Sequence, residues 1–539
     1  MTGLKIKQFK LDKQAIKQIS DDYIVDYPTV YLLNNDKEAY IGETVALKNR
    51  MRAHLANPQR SKLTKAHVIS HNEFNQSATY NIETKLINYF LADQKYILQN
   101  KSQTVQSITH NYHNKAYFNE QVFTTLWRQL LTQGIASHSA DEIENKDIYK
   151  LSPFKQLSAE QLDLKNTIIE KCTTHINDQK PFVYFIKGEA GVGKSVILSS
   201  VFNRIQELSQ DKNSPLYQTD NKLLVNHGEM LKTYEKIASK VKSLKVSNFM
   251  KPTTFINDMK KNNDFADIVF VDEAHLLLSR SDSYNSFVED NHLEEIIKRS
   301  KIVIAVYDEK QVLKLKSYWD ENKLAHLNVD YTTEEPYQLK DQFRMKANDE
   351  VVDWIDSFVT TEIKPLPHDD NFDFKIFDSA LAMYEAIKQK NKTAGLSRIV
   401  STFDYVHMKK NNEVYYVEDT NFKLPWNTTV KGRETWAERQ DSIDEVGSIY
   451  TVQGFDLNYV GVILGPSVSY DVETDSVKII TANYCDTAAF SGQTGFDNVE
   501  LIKQKIVLNS INILMKRGIN GLYIFASDPA LRERLARND

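Results

Sequence analysis

The chain is short of several things, and each shortage narrows what it can be. Two cysteines, Cys172 and Cys485, stand far apart in 539 residues. That excludes a disulfide framework and a cysteine-rich zinc module, and it fits a reducing cytoplasm. Glycine (17) and proline (12) are scarce, so long flexible linkers are not expected. No apolar run approaches the roughly 20 residues of a membrane span. The start, Met1-Thr2-Gly3-Leu4-Lys5, leads into no apolar core of signal-peptide length. The expectation is a cytoplasmic protein with no membrane partner. What is present, 41% apolar and 26% charged residues, is ordinary globular composition. The length calls for about two to four domains.

Net charge is −5 but unevenly spread, with sixteen Lys and Arg against ten Asp and Glu in residues 1–115. A basic front on an acidic body points to the front as a phosphate-contacting surface, with a merely solvated basic face as the plain alternative.

The chain is organised around one stretch. An apolar run, residues 182–186, leads into Gly188, Glu189, Ala190, Gly191, Val192, Gly193, Lys194 and Ser195, and then into a helix-compatible segment, 196–208. Strand, glycine-rich loop and helix in that order form a phosphate-binding loop. The glycines let backbone N–H groups face a polyphosphate, Lys194 adds a point charge, and Ser195 offers a hydroxyl to Mg²⁺. Residues 267–271, apolar from Ile268 onward, form a second strand-like run that ends in Asp272 and Glu273. A strand this apolar is covered on both faces. In that setting Asp272 suits the Mg²⁺ water shell, and Glu273 suits polarising the water that attacks a γ-phosphate. A third run, 301–307, ends at Asp308 and Gln311. Upstream, Ser158-x-x-Gln161 has the spacing of a helix N-cap.

The front of the chain has a different chemistry. Strand-like runs at 29–33 and 39–42 flank Asn34-Asn35-Asp36-Lys37, a good hairpin turn. They place Tyr31 and Tyr40 on neighbouring strands. In the following helical segment Leu47, Met51, His54 and Leu55 share one face, and Arg50 projects from an adjacent one. Glu83 follows in a later helix. Thr29-Val30-Tyr31, Tyr40-Ile41-Gly42, Leu47-x-x-Arg50-x-x-x-His54 and Glu83, in this order, resemble the GIY-YIG nuclease domain, with Thr-Val-Tyr in place of the first triplet. The resemblance implies single-metal hydrolysis of a phosphodiester. Glu83 would hold a divalent metal, Arg50 would steady the scissile phosphate, and Tyr31, paired with Tyr40, would activate or position the water. His54 would act as a phosphate contact or as a structural histidine.

The rest of the chain resembles superfamily 1 helicases. In that family a glutamine placed like Gln161 reads the adenine edge, and Asp308 with Gln311 matches the γ-phosphate sensor, though Tyr307 replaces its usual glycine. Gln342-Phe343-Arg344 resembles the segment that carries an arginine finger. Gln453-Gly454-Phe455-Asp456 resembles the segment that couples nucleotide state to the bound strand. Arg517, before the apolar run 521–525, resembles the last arginine facing the γ-phosphate. Ser152-Pro153-Phe154-Lys155, Val225-Asn226-His227, Leu396-Ser397-Arg398, Pro425-Trp426-Asn427 and the segment from Val452 through Gly465 narrow the likeness to the schlafen group 3 DNA/RNA helicase domain. Asn226 and His227 become strand contacts on that likeness, as does Gln453. Trp426 is either a base-stacking platform or a core anchor.

The combined expectation is α/β. A GIY-YIG domain occupies residues 1–115 and a helical connector 116–150. Two RecA-like parallel-sheet lobes follow, at 151–335 and 336–539. ATP with one Mg²⁺ would serve the motor and one divalent metal the nuclease. Nucleic acid, DNA before RNA, is the expected partner, with defence against phage or foreign DNA as the role. Three alternatives fit the same residues: a nucleotide-gated switch that never translocates, a front domain that binds DNA without cutting it, and an RNA-directed enzyme.

Overall fold

The structure is a computed structural model and describes residues 3–21, 23–100, 112–188, 191–282, 286–317, 327–339, 345–407, 414–428, 435–452, 455–493 and 498–537. Of the expected site residues, Glu189, Ala190, Phe343, Arg344, Gln453 and Gly454 lie outside the described residues. By compactness the chain divides into two units, one of residues 1–174, 195–221 and 233–249, the other of 175–194, 222–232 and 250–539.

The first unit holds a sheet of β1 (Lys5–Lys10), β2 (Thr29–Asn34), β3 (Glu38–Thr44), β4 (Lys65–Ser70) and β5 (Ile97–Leu98), ordered β1-β4-β2-β3-β5. β2 is central and buried at every position, which its run of Val30, Tyr31, Leu32 and Leu33 allows. The expected hairpin forms, with Tyr31 opposite Gly42 and Leu33 opposite Tyr40. The two tyrosines are therefore diagonal neighbours on one face. The helix Leu47–Ala56 buries Leu47, Met51 and His54, one stripe of an amphipathic helix. The helix Gln76–Asp93 starts where the Asn75 side chain accepts from the Ala78 N–H, and stops at Gln94 in the left-handed region, φ 59°.

The phosphate-loop strand anchors a seven-stranded sheet of β6 (Phe182–Gly188), β7 (Asn221–Val225), β8 (Phe249–Met250), β9 (Ala266–Asp272), β10 (Ser300–Tyr307), β11 (Thr332–Thr333) and β12 (Tyr337–Leu339). Its order is β11-β6-β10-β9-β7-β8, with β12 also on β6. β10 lies parallel between β6 and β9, and Ala305 faces Phe185 on one side and Val271 on the other. A second seven-stranded sheet contains β13 (Asp373–Ile376), β14 (Ser397–Ser401), β15 (Tyr415–Asp419), β16 (Phe422–Trp426), β17 (Val446–Gly447), β18 (Leu457–Leu464) and, after the separate hairpin β19 (Val468–Asp471) and β20 (Ser476–Ile479), β21 (Gly518–Ala526). Its order is β13-β21-β18-β14-β17-β16-β15, and its pairs are parallel except β15 with β16. Separate apolar cores support the two sheets, around Phe255, Val269 and Ile296 in one and Trp354, Ile399 and Ile524 in the other.

The stacking alternative for Trp426 is corrected here. Its side chain is 1% exposed, and its indole N–H donates to the Tyr405 carbonyl at 3.2 Å. Phe403 and Tyr405 meet it edge-on, with ring centres 5.3 and 5.7 Å away. A ring with no open face cannot receive a base, so Trp426 is a core anchor. Trp426→Ala is expected to cost about 3–5 kcal/mol as a large core truncation, read as a fall in denaturation midpoint. Loss of nucleic-acid affinity at unchanged stability would contradict the core assignment.

Buried imidazoles set an acid limit on the fold. His292 accepts from the Leu278 N–H at 3.0 Å and pairs with the Thr253 hydroxyl at 3.0 Å, and burial pushes it down to about 3. His67 is pushed down to about 4 by burial and by Lys65. Both are neutral when folded and titrate near pH 6.5 when unfolded, so the unfolded chain takes up the protons. The stability they contribute is complete above about pH 6.5 and is lost as pH falls toward their folded values. The melting temperature should fall between pH 7 and pH 5, and His292→Gln should flatten that fall. A melting temperature that rises on acidification would contradict the assignment.

Candidate functional site

Three adjacent parallel strands, β6, β10 and β9, end side by side, and the residues expected to bind a nucleotide follow them. This is where an open parallel sheet presents a ligand crevice. Gly191 and Gly193 have φ of 94° and 79°, a left-handed backbone that glycine adopts without strain. Gly188 is needed for a different reason, since a Cβ there would lie 2.9 Å from Val192 Cγ2. Val192 itself is buried against the loop at 3% exposure. The helix Lys194–Leu208 opens directly on Lys194 and Ser195. Lys194 Nζ donates to the Gly188 carbonyl at 2.7 Å and to Asp308 Oδ2 at 3.0 Å.

Asp308 also accepts from Gln311 Nε2 at 2.5 Å. Burial pushes the Asp308 carboxyl up, but the Lys194 ammonium and the Gln311 hydrogen bond more than reverse that, and it lies below the usual carboxylate range. At the end of β9, Asp272 Oδ1 accepts from the Glu273 N–H at 3.0 Å. Glu273 is held at φ 51°, a left-handed conformation that costs energy for any residue with a Cβ. His275 Nε2 lies 3.0 Å from Glu273 Oε2. Burial pushes the His275 imidazole down despite Glu273 and Asp308, so it meets Glu273 as a neutral ring. Arg517 is buried at 1%, donates from Nη1 to the Phe455 carbonyl at 3.0 Å, and its charge acts on both His275 and His227. The structure thus gathers Gly188, Lys194, Asp272, Glu273, Gln311 and Arg517 in one unit.

Other expected residues are used differently. Asn226 Nδ2 donates to the Leu276 carbonyl at 2.8 Å, tying the end of β7 to the segment after Glu273. His227 accepts from the Met230 N–H at 3.3 Å, hydrogen-bonds to the Tyr450 backbone and lies against Phe455, ring centres 6.2 Å apart. Burial pushes it down to about 4. The strand-contact assignment of His227 is corrected, since it is a buried neutral link to the residues on either side of Gln453 and Gly454, whereas Asn226 is half-buried and gives one amide hydrogen to the chain. Gln161 forms the helix N-cap that its spacing predicts, with Oε1 accepting from the Ser158 N–H at 3.1 Å and its own N–H donating to Ser158 Oγ at 3.2 Å. That is a closed capping box.

In the first unit, Tyr31, Tyr40, Arg50, His54 and Glu83 come together. Tyr31 Oη accepts from Arg50 Nε at 3.1 Å and lies 2.8 Å from His54 Nε2. The Tyr31 and Tyr40 ring centres are 6.2 Å apart. A Cβ at Gly42 would lie 2.3 Å from Tyr31 Oη, so the hydroxyl occupies space that only a glycine leaves open. Burial pushes Tyr31 well above the usual tyrosine range, against the pull of Arg50. Burial and then Glu43 push the Glu83 carboxyl up to about 8, with Arg50 pulling the other way. Glu43 Oε2 accepts from the Thr79 hydroxyl at 3.3 Å, one helical turn before Glu83. Asn100 holds the backbone of Ile41 from both sides, at 3.1 and 2.8 Å, and so fixes the strand that carries Tyr40.

Sequence reasoning missed Arg60, Glu43 and His275. Arg60 lies beyond the end of the helix, where periodicity gives no signal. Glu43 and His275 each stand beside a motif residue and were open to inspection.

Residues 181–528, more than half of the chain, match the family described as Schlafen group 3, DNA/RNA helicase domain. The "Uncharacterized protein YPL245W" of Saccharomyces cerevisiae is 44% identical over 412 residues, spanning 71% of this chain and 90% of its own. Among solved structures, the Pif1 helicase from Candida albicans aligns with 70% of this chain and 96% of its own at 14% identity and a TM-score of 0.28. The DUF1998 helicase MrfA bound to DNA and AMPPNP aligns with 70% of this chain and 49% of its own at 9% identity and a TM-score of 0.27. TM-scores this low carry no fold assignment. The match over residues 181–528 does carry a family, and the chain belongs to the schlafen group 3 DNA/RNA helicase domain family.

Proposed function

We propose that the chain is an ATP-driven nucleic-acid translocase or helicase joined to a metal-dependent GIY-YIG endonuclease. The observation that supports the motor is the meeting of Lys194, Asp272, Glu273 and Asp308 at three adjacent strand ends, with the Arg517 charge acting on the same cluster. The residues fit a magnesium nucleotide. The glycines of the loop free its backbone N–H groups, Lys194 supplies a cation, and Ser195 and Asp272 would hold Mg²⁺ through hard oxygen donors. Bound Mg²⁺ offsets charge on the phosphate oxygens. Glu273, paired with neutral His275, would orient the attacking water and take its proton. Arg517, together with Arg344, would stabilise charge on the γ-phosphate. Gln453 and Gly454 would pass nucleotide state to the bound strand, and His227 would join that segment to the first lobe. The boundaries proposed are 1–115, 116–150, 151–335 and 336–539.

The nuclease reading is supported by the joining of buried Tyr31 and His54 with exposed Arg50 and half-buried Glu83 in one cluster. A carboxyl raised by burial and by a second carboxylate fits a divalent cation, which would relieve both. Among the described residues no group of three or more His, Cys, Asp or Glu side chains could hold a metal ion. A cation here would therefore rest on Glu83 and on substrate or water oxygens. Arg50 would steady the phosphate. DNA is taken before RNA, and action in the cytoplasm against phage or foreign DNA is read from the two activities in one chain.

The test incubates full-length protein with Mg²⁺ and labelled single-stranded DNA, duplex DNA and RNA, with and without ATP. Lys194→Ala should reduce ATP turnover to background, and Arg517→Ala should lower it by about 10³- to 10⁵-fold while nucleotide still binds. Glu83→Gln should abolish metal-dependent cleavage and leave ATP turnover in place. Turnover surviving Lys194→Ala would overturn the motor, and cleavage surviving Glu83→Gln would overturn the nuclease. ATP turnover without movement along any strand would favour the nucleotide-gated switch.

A further inference from the structure

Arg60 lies in a short turn, Arg60–Lys62, beyond the helix Leu47–Ala56. Its guanidinium carbon is 3.8 Å from the centre of the Tyr40 ring. Its Nη1 is 3.2 Å from His54 Nδ1. Across the same imidazole, Nε2 is 2.8 Å from Tyr31 Oη, which also accepts from Arg50 Nε at 3.1 Å. Four side chains therefore form one run of hydrogen bonds, Arg60, His54, Tyr31 and Arg50, within the first unit.

The chemistry of the end groups fixes the direction of that run. A guanidinium has only donors. At the Arg60 contact, then, His54 Nδ1 is the acceptor and carries no proton. Burial, then the charges of Arg60 and Arg50, push His54 down to about 3, so the ring stays neutral. Its single proton sits on Nε2, because the hydrogen bond at one ring nitrogen decides the state of the other. Nε2–H then donates to Tyr31 Oη. A phenolic oxygen has two acceptor positions, and His54 and Arg50 fill both. The Tyr31 O–H has to point away from the pair, and the oxygen has no lone pair left to take a proton.

We propose that Arg60 is a positioning residue of the front site, which selects the Nε2–H tautomer of His54 and so makes Tyr31 a hydrogen-bond donor to the phosphodiester, not the base that receives the water's proton. The functional half rests on the nuclease reading; the tautomer half does not. Burial holds the Tyr31 proton in place and agrees with a donor. Gly42 gives the hydroxyl its place, and Arg60 gives it its polarity. The Arg60 guanidinium, lying over Tyr40, fixes the second tyrosine from the same position by a cation–π contact.

The experiment records imidazole ¹H–¹⁵N correlations on the full chain, with His54→Gln identifying the His54 signals. Wild type should show the proton on Nε2. Arg60→Met, which removes the donor, should move the population toward the Nδ1–H form. Arg60→Lys, which keeps an N–H donor, should restore the Nε2–H form in part. Unchanged His67 and His292 signals show that the variants are folded. Cleavage by Arg60→Met should fall in kcat, by up to about 100-fold for a misplaced group, with KM little changed, and Arg60→Lys should recover some of it. A proton on Nδ1 in wild type, or a tautomer that Arg60→Met leaves unchanged, would overturn the proposal. A moved tautomer with unchanged cleavage would overturn its functional half. If wild type cuts no substrate, the nuclease reading fails, and the tautomer shift alone still decides the Arg60–His54 link.

Discussion

A buried ammonium group ties the ends of two strands together, and the proposed nucleotide site is built on that tie. Lys194, 7% exposed, binds the last carbonyl of β6 and the carboxylate just past β10. Burial pushes the Asp308 carboxyl up, and the Lys194 ammonium, with the Gln311 hydrogen bond, more than reverses that. Removing one partner of a buried pair typically costs about 3–5 kcal/mol, because the other charge is stranded. The pair therefore stabilises the strand ends while holding a cation where a phosphate would meet it.

The same economy appears around it. Glu273 takes a left-handed backbone that a glycine would adopt more cheaply, and His275 stands beside its carboxylate as a neutral ring. Strain kept at one carboxylate, beside an imidazole on which the charges of Lys194, Asp308 and Arg517 act, is what a site shaped for chemistry shows. The front cluster follows a parallel logic with different groups. Two tyrosines, a histidine and two arginines share one network, and a carboxyl pushed up to about 8 lies within reach of the Arg50 charge. Both sites are organised by arginine or lysine groups that keep buried oxygens in defined states.

Much of this was legible in the chain because the signals were local. The apolar runs at 182–186, 268–271 and 302–307 end in their polar residues, and the structure places all three as adjacent parallel strands. The hairpin through Asn34 to Lys37 fixes the tyrosine pair by register alone. What could not be read was decided by packing. Trp426 has the same composition around it whether it stacks on a base or fills a core, and only burial separates the two. His227 follows an apolar strand like a surface loop residue, yet Tyr450 and Phe455 close over it from more than two hundred residues away. Arg60 reaches His54 by a turn whose path no periodicity encodes.

Nucleotide affinity and ATP turnover measured together on Glu273→Gln, with single-stranded DNA present, test the central claim most directly. The substitution keeps the shape of the side chain and removes the group that accepts the proton. The assignment predicts nucleotide affinity close to wild type and turnover lower by about 10²- to 10⁴-fold, the usual contribution of a positioned base. Turnover near wild type with intact binding would contradict it.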